Sequence, residues 1–149
     1  MANLKIMTLN ARGLANQSKR RDLFQYIKAK GASICCIQEF HCTESLEHIY
    51  KAEWGHGCLF SGNSTNSWGV AILFNKDFEY KIHTSEKDKD GDLIAVDIEI
   101  ENCRFTLVNI YGPNKDTPSF FSKLKQTILN FENASVMICG DWNLVLDQE

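Results

Sequence analysis

In four short stretches an apolar run gives way to polar side chains, and these hold the residues able to do chemistry. They are LNARG with Asn10, IQEFH with Gln38 and Glu39, VNIYGPN with Asn109, Tyr111 and Asn114, and CGDWN with Asp141 and Asn143. Glu39 and Asp141 offer hard carboxylate oxygens and a base. That set suits Mg2+, with Mn2+ as the alternative ion, better than zinc, because no Cys/His ligand spacing accompanies them. Asn10, Asn143 and Tyr111 add neutral hydrogen-bonding groups that hold a phosphate without titrating near neutral pH. Phosphoryl chemistry is the reaction these groups suggest together.

Taken singly, each residue also has a structural reading. Asn10 before Gly13 can be a turn former, and Gln38-Glu39 a solvent-facing strand end. Tyr111 before Gly112-Pro113 can anchor a loop, and Asp141 with Asn143 can cap the next turn. Of the four histidines only His41 lies beside a motif, where it either touches substrate or is a surface histidine. Lys19-Arg20-Arg21 can meet backbone phosphate or form a solvated helix face. The shared position of the motifs, each at the end of an apolar run, favours a site: residues at the carboxyl ends of neighbouring strands converge on one crevice.

The elements that must position them alternate between strand-length apolar runs and segments of helical period, the pattern of an α/β or layered α+β domain. LKIMTL opens as a strand. Ser18 is then placed to cap a helix with Leu23, Phe24 and Ile27 on one stripe, closed by Gly31. SICCIQ is a fully buried strand. Thr43 can cap a short helix with Leu46, Ile49 and Tyr50 inward. GCLF and WGVAILF follow as strands. The run from Ser85 to Asp92 holds six charges in eight residues and reads as a solvated turn rather than a metal loop. LIAVDIEIE alternates strictly, which predicts one wet face, and CRFTLVNIY pairs with it. Thr117-Pro118 starts a helix with Phe121, Leu124, Ile128 and Phe131 on one face, before SVMICG as a last, buried strand.

A chain of 149 residues with 44% hydrophobic and 23% charged content is an ordinary globular domain or a piece of a larger one, not a disordered segment. Its apolar runs fall short of the roughly 20 residues of a membrane span, and Met1 to Lys5 lacks an apolar secretory core, so it reads as soluble and intracellular. The six cysteines include no Cys-x-x-Cys pair and read as reduced core thiols. A net charge of −3 disfavours a generic nucleic-acid coat but not a nuclease with acid at its centre.

In this order and spacing, LNARGL, QEFH, IYGPN and GDWNLVLD resemble the endonuclease/exonuclease/phosphatase superfamily. The likeness is nearest to the apurinic-type endonuclease domain of LINE-like non-long-terminal-repeat retrotransposons. It covers the whole chain, and residues 1–149 look like the N-terminal portion of a single such domain. The implied fold is part of a four-layer α/β sandwich, mixed β-sheets flanked by helices, with the second half missing.

The resemblance implies that Glu39 binds Mg2+ with Asn10 in support, and that Tyr111 binds the scissile phosphate. Asp141 would orient or deprotonate the attacking water, Asn143 would hold a phosphate oxygen, and Asn114 and His41 would contact substrate. It further implies DNA as partner, nicked to leave a 3′-hydroxyl and a 5′-phosphate, and a nuclear location. Two departures bear on activity: Phe40 stands where the family usually has Thr, and the family's later acidic residue and Ser-Asp-His motif do not occur. The expected outcome is weak or absent cleavage. It is also expected that the chain supplies most of one sheet, whose uncovered inner face recruits a second copy or another covering partner. The alternatives are a non-catalytic remnant that binds partners, and a repair-type nuclease or other phosphoesterase of the same superfamily.

Overall fold

The computed structural model describes residues 3–62, 69–115 and 117–144. Trp68, at the head of one expected strand, and residues 145–147 of the last motif lie outside the described residues. Two four-stranded sheets form. The first takes β1 (Ile6–Asn10), β2 (Ile34–Gln38), β3 (Cys58–Ser61) and β4 (Val70–Phe74) in the order β1-β2-β4-β3. The second takes β5 (Lys81–Lys87), β6 (Leu93–Ile100), β7 (Cys103–Tyr111) and β8 (Val136–Asp141) in sequence order. Each sheet holds one parallel pair, β1 with β2 and β7 with β8; the other pairings are antiparallel.

Period-two alternation decides how the sheets stack. Ile34 and Cys36 of β2 and Ile72 of β4 face Ile94, Val96 and Ile98 of β6 and Leu107 of β7, forming a core between the sheets. The opposite side chains of the first sheet, including Cys35, Ile37 and Leu73, pack on Phe24 and Ile27 of α1 (Gln17–Lys30) and on Tyr50 and Trp54 of α2 (Glu47–Trp54). Leu93, Ala95, Val108 and Ile110 pack on Phe120 and Leu124 of α3 (Pro118–Leu129). The layers run helix, sheet, sheet, helix. The expectation of one sheet with an uncovered inner face is therefore wrong: each sheet covers the other, and the motive for a homodimer or covering partner at that face is gone. What stays open is the β8 edge, where Val136 and Met137 are 41% and 40% exposed, so this last strand is not the buried one expected.

Several local expectations shift for identifiable reasons. Asn16, not Ser18, caps α1: its Oδ1 accepts from the Lys19 amide at 3.0 Å, so the helix starts two residues earlier than a Ser18 cap would permit. Gly31 closes that helix at φ +63° as read from sequence. Thr43 precedes a 3-10 turn over Glu44–Leu46 and makes no side-chain cap, and α2 buries Tyr50 and Trp54 while Leu46 and Ile49 stay exposed. On α3 the inward aromatic is Phe120, with Phe121 37% exposed. The charged run is a turn only from Asp88 onward, since Ser85 to Lys87 belong to β5, a strand too polar to be read from hydrophobic pattern. All six cysteines are free, though Cys103 is exposed rather than a core thiol; burial pushes the Cys35 thiol up to about 12. Among the described residues no helix is long and apolar enough to cross a membrane.

The wet face expected on β6 is buried as well, because α3 and the segment after it cover that side. Asp97 sits there at 5% exposure and is tolerated because its oxygens are occupied: Arg104 Nε donates at 2.8 Å, a second guanidinium nitrogen pairs with Oδ2, and Asn133 Nδ2 donates at 3.0 Å. These donors, Arg104 first, hold its carboxyl at about 2, below the ordinary carboxylate value near 4. A depressed folded value means that the ionised form stabilises the fold above about pH 4 and that this contribution disappears as pH falls through about 2. Asp97→Asn should cost about 1.5 kcal/mol at pH 7, the low end for a hydrogen bond to a charged group. Urea melts between pH 7 and 2 check this, and the variant's acid limb should be flatter than that of the parent.

Candidate active site

The parallel pairs end side by side. Asn10 closes β1 opposite Gln38 at the end of β2, and Tyr111 closes β7 opposite Asp141 at the end of β8. β1 and β8 are neighbours across the sandwich, so the polar residues just past each apolar run meet in one place. Asn10 Nδ2 donates to Glu39 Oε1 at 2.8 Å and to Asp141 Oδ2 at 3.1 Å. The Tyr111 hydroxyl donates to the same Glu39 oxygen at 2.9 Å. The Asn143 backbone amide donates to Asp141 Oδ1 at 3.0 Å, and its side-chain Nδ2 to the Gly112 carbonyl at 2.6 Å. Asn10 is itself oriented, since its Oδ1 accepts from the Arg12 amide at 2.9 Å. Burial, reinforced by Glu39, pushes the Tyr111 phenol up, while the Asn143 and Asn114 side chains oppose that shift. The phenol therefore stays protonated and acts as a donor. A cleft of about 360 Å³ lined by Tyr111, Asn114, Lys115 and Thr117 opens beside it.

Backbone strain collects at this spot. Among the described residues six non-glycines have positive φ, and Arg12, Glu39, His41 and Asn143, at +50°, +51°, +56° and +49°, are four of them. Each such conformation costs on the order of 1–3 kcal/mol and persists only where the surroundings enforce it. Here it turns Glu39 out of its strand toward the second sheet. The next residue turns the other way: Phe40 is fully buried among Phe24, Tyr50 and Phe60, so the departure from the usual Thr sends a ring into the helix-side core, away from the carboxylates. His41 packs over Gly13 of the β1–α1 loop, at the flank of the site.

Of the basic trio, two members are consumed internally. Lys19 Nζ donates to the carbonyls of Ala11, Arg12 and Gly13, fastening the loop that carries Asn10, a role no sequence signal marked. Arg20 pairs with both Glu53 oxygens, lies over the Tyr50 ring and donates to the Leu14 and Ala15 carbonyls. Only Arg21 remains on the solvated face. A second acidic group, Asp88, Asp90 and Asp92, clusters on the turn after β5, with Lys123 of α3 at 2.6, 3.4 and 3.6 Å from them. Burial and then Asp88 push Asp92 up. With an ammonium already among its carboxylates, this cluster ties the turn to α3, and Lys123 offsets part of its negative charge.

Asp141 reaches its place because β8 approaches β7 very closely. Gly140 adopts φ +137°, and a Cβ there would fall 2.0 Å from the Ile110 carbonyl oxygen. The sequence showed this glycine only as punctuation before the motif.

The sequence pattern of the endonuclease/exonuclease/phosphatase family matches residues 7–148. The chain is 26% identical over 147 residues to an uncharacterized 149 kDa protein of transposon TX1 from Xenopus laevis, covering 97% of this chain and 11% of that protein. It is 23% identical over 157 residues to an exodeoxyribonuclease of Bacillus subtilis, covering 95% of this chain and 59% of the relative. Thus it spans about three fifths of the bacterial relative and a small fraction of the transposon protein. The fold is shared with the endonuclease domain of TRAS1, a telomere-specific non-LTR retrotransposon, at a TM-score of 0.64 and 15% identity, covering 93% of this chain and 59% of that one.

The close approach at Gly140 yields a structural test. Gly140→Ala should lower stability by more than about 1 kcal/mol, the usual bound for a glycine replaced in an incompatible conformation. Thermal unfolding by circular dichroism measures it.

Proposed function

Because the chain belongs to the endonuclease/exonuclease/phosphatase family, we propose that its Glu39–Asp141 site hydrolyses DNA phosphodiesters with Mg2+, or Mn2+, as cofactor. One observation carries this reading: a single amide, Asn10 Nδ2, spans two carboxylates from different sheets, one bonded to the Tyr111 phenol and one held by a backbone N–H. The donor set fits a hard cation. Glu39 Oε1 is occupied by Asn10 and Tyr111, and among the described residues Oε2 accepts no hydrogen bond, so Glu39 has an oxygen to give. When bound, Mg2+ supplies Lewis-acid stabilisation of charge at the scissile phosphate.

The chain's own residues do the rest. Asp141, held by Asn10 and the Asn143 amide, accepts a proton from a water as that water's oxygen bonds to phosphorus. The bond from phosphorus to the 3′ oxygen breaks, and solvent protonates the leaving oxygen, giving a 3′-hydroxyl and a 5′-phosphate. Tyr111, Asn143 and Asn114 bind the phosphate, and His41 contacts substrate at the flank. Among the described residues all the groups hydrogen-bonded to the two carboxylates are neutral, so developing negative charge meets no strong cation from them, and a low rate is the expected outcome.

DNA is favoured over a lipid or inositol phosphate by the similarity to an exodeoxyribonuclease and to a retrotransposon endonuclease domain. A retrotransposon role, in which the 3′-hydroxyl primes reverse transcription in the nucleus, follows from the same similarity. Residues 1–149 then act as the N-terminal portion of one domain.

Supercoiled plasmid incubated with the chain in Mg2+ should relax slowly, and chelation should stop it. Glu39→Gln and Asp141→Asn should each reduce nicking by about 10²-fold or more. The nicks should be extended directly by a DNA polymerase, which requires a free 3′-hydroxyl. Relaxation that survives Glu39→Gln would move the chemistry elsewhere, and no relaxation at any protein concentration would favour a non-catalytic module.

A further inference from the structure

Directly beneath the carboxylates lies a pair of buried amides that the chemistry above does not use. Gln38 sits inside the first sheet between Asn10 and Val70, and Asn109 inside the second between Ile94 and Cys139. Both are fully buried, and they meet across the gap between the sheets: Gln38 Nε2 donates to Asn109 Oδ1 at 2.8 Å. Asn109 Nδ2 continues into the opposite sheet and donates to the carbonyls of Ile37 at 3.0 Å and Ala71 at 2.8 Å, which are register partners on adjacent strands. Gln38 is steadied by Thr8 Oγ1 at 3.1 Å. The orientation of the Asn109 amide is fixed chemically, because two carbonyls on one side and an N–H donor on the other admit only one placement of its oxygen and nitrogen.

Apolar faces attract without direction, so packing alone lets two stacked sheets slide or part. Buried amides do not, since a shift leaves several of them unpaired. Their positions in the chain give this a local target. Gln38 immediately precedes Glu39, and Asn109 is two residues before Tyr111 on the same face of β7. The 2.9 Å contact from the Tyr111 hydroxyl to Glu39 bridges the same two strands one step further out.

We propose that Gln38 and Asn109 form a cross-sheet clasp that sets the spacing between Glu39 and Tyr111, making both amides positioning residues for the metal and phosphate groups of the site. They act through Glu39 and Tyr111 and touch neither substrate nor ion. The proposal rests on the reading of the site given above, but its geometric part stands apart from activity.

The test uses the whole chain in two variants. Gln38→Met keeps the length of the side chain and removes its donors. The exchange of Gln38→Asn together with Asn109→Gln moves one methylene across the clasp and preserves its total reach. Mn2+ affinity is read by water-proton relaxation, the urea midpoint by fluorescence, and the contact itself by the Tyr111 resonance of protein labelled with 13Cζ-tyrosine, assigned with Tyr111→Phe. Gln38→Met should weaken Mn2+ binding about tenfold, as loss of a group that orients a metal ligand commonly does, and shift the Tyr111 resonance. The exchange should return both toward the parent values. A folded Gln38→Met with unchanged affinity and unchanged resonance overturns the proposal, as does an exchange that restores only the urea midpoint. If Gln38→Met does not fold, Thr8→Val, which strips one acceptor from Gln38, is judged by the same two signals. If the parent chain binds no Mn2+, the metal reading falls, and the Tyr111 resonance alone decides the clasp.

Discussion

One amide group donates to two carboxylates that arrive on different sheets, and the arrangement of the chain can be understood as what brings that about. Asn10 Nδ2 lies 2.8 Å from Glu39 and 3.1 Å from Asp141. For this to happen β1 must end beside β2, β8 must end beside β7, and the two parallel pairs must face one another with their carboxyl ends level. Parallel pairing requires a long crossover, and each sheet has one: α1 carries the chain from β1 to β2, and α3 from β7 to β8. The helices therefore cover the outer faces and at the same time return the chain so that both pairs finish on the same side.

Strain is distributed to match. The left-handed residues Arg12, Glu39, His41 and Asn143 occupy the turns immediately after three of the four strand ends, while the central strands β2, β4, β6 and β7 are largely buried. Rigid strands fix where each turn starts, and the tight turns then aim single side chains. Gly140 plays the complementary part, letting β8 press against β7 more closely than any side chain would allow. A site built this way is held by its frame, and among the described residues the groups hydrogen-bonded to both carboxylates are neutral.

The site was more legible in the sequence than the fold around it. Asn10, Glu39, Tyr111 and Asp141 each follow an apolar run long enough to be a strand, so their convergence could be inferred from the position of the polarity change. Asn143 and Asn114 lie beside Tyr111, where their side chains oppose the upward push on its phenol. What pattern could not reveal depends on contacts distant in sequence. β5 is charged and exposed along much of its length, and the alternation of β6 suggested water where α3, Arg104 and Asn133 instead enclose Asp97. Three strands of the second sheet were legible as strands, but their charged edge strand β5 was not, and neither was their separation from the first sheet. Helix faces slipped by one residue at Phe120 and Phe121, since adjacent aromatics leave the stripe undecided until the sheet beneath selects one. Lys19 was readable only as a charge, because its three acceptors are backbone carbonyls with no sequence signature.

In the proposed function a divalent cation binds at the Glu39–Asp141 site, and not at the more obvious aspartate cluster on the turn after β5. Paramagnetic broadening measures this directly: a substoichiometric addition of Mn2+ to 15N-labelled chain, followed residue by residue. The predicted result is loss of signal centred on Asn10, Glu39 and Tyr111, with the turn around Asp90 keeping its intensity because Lys123 already compensates those carboxylates. Broadening centred on Asp88 to Asp92, with Glu39 and its neighbours unaffected, would contradict it.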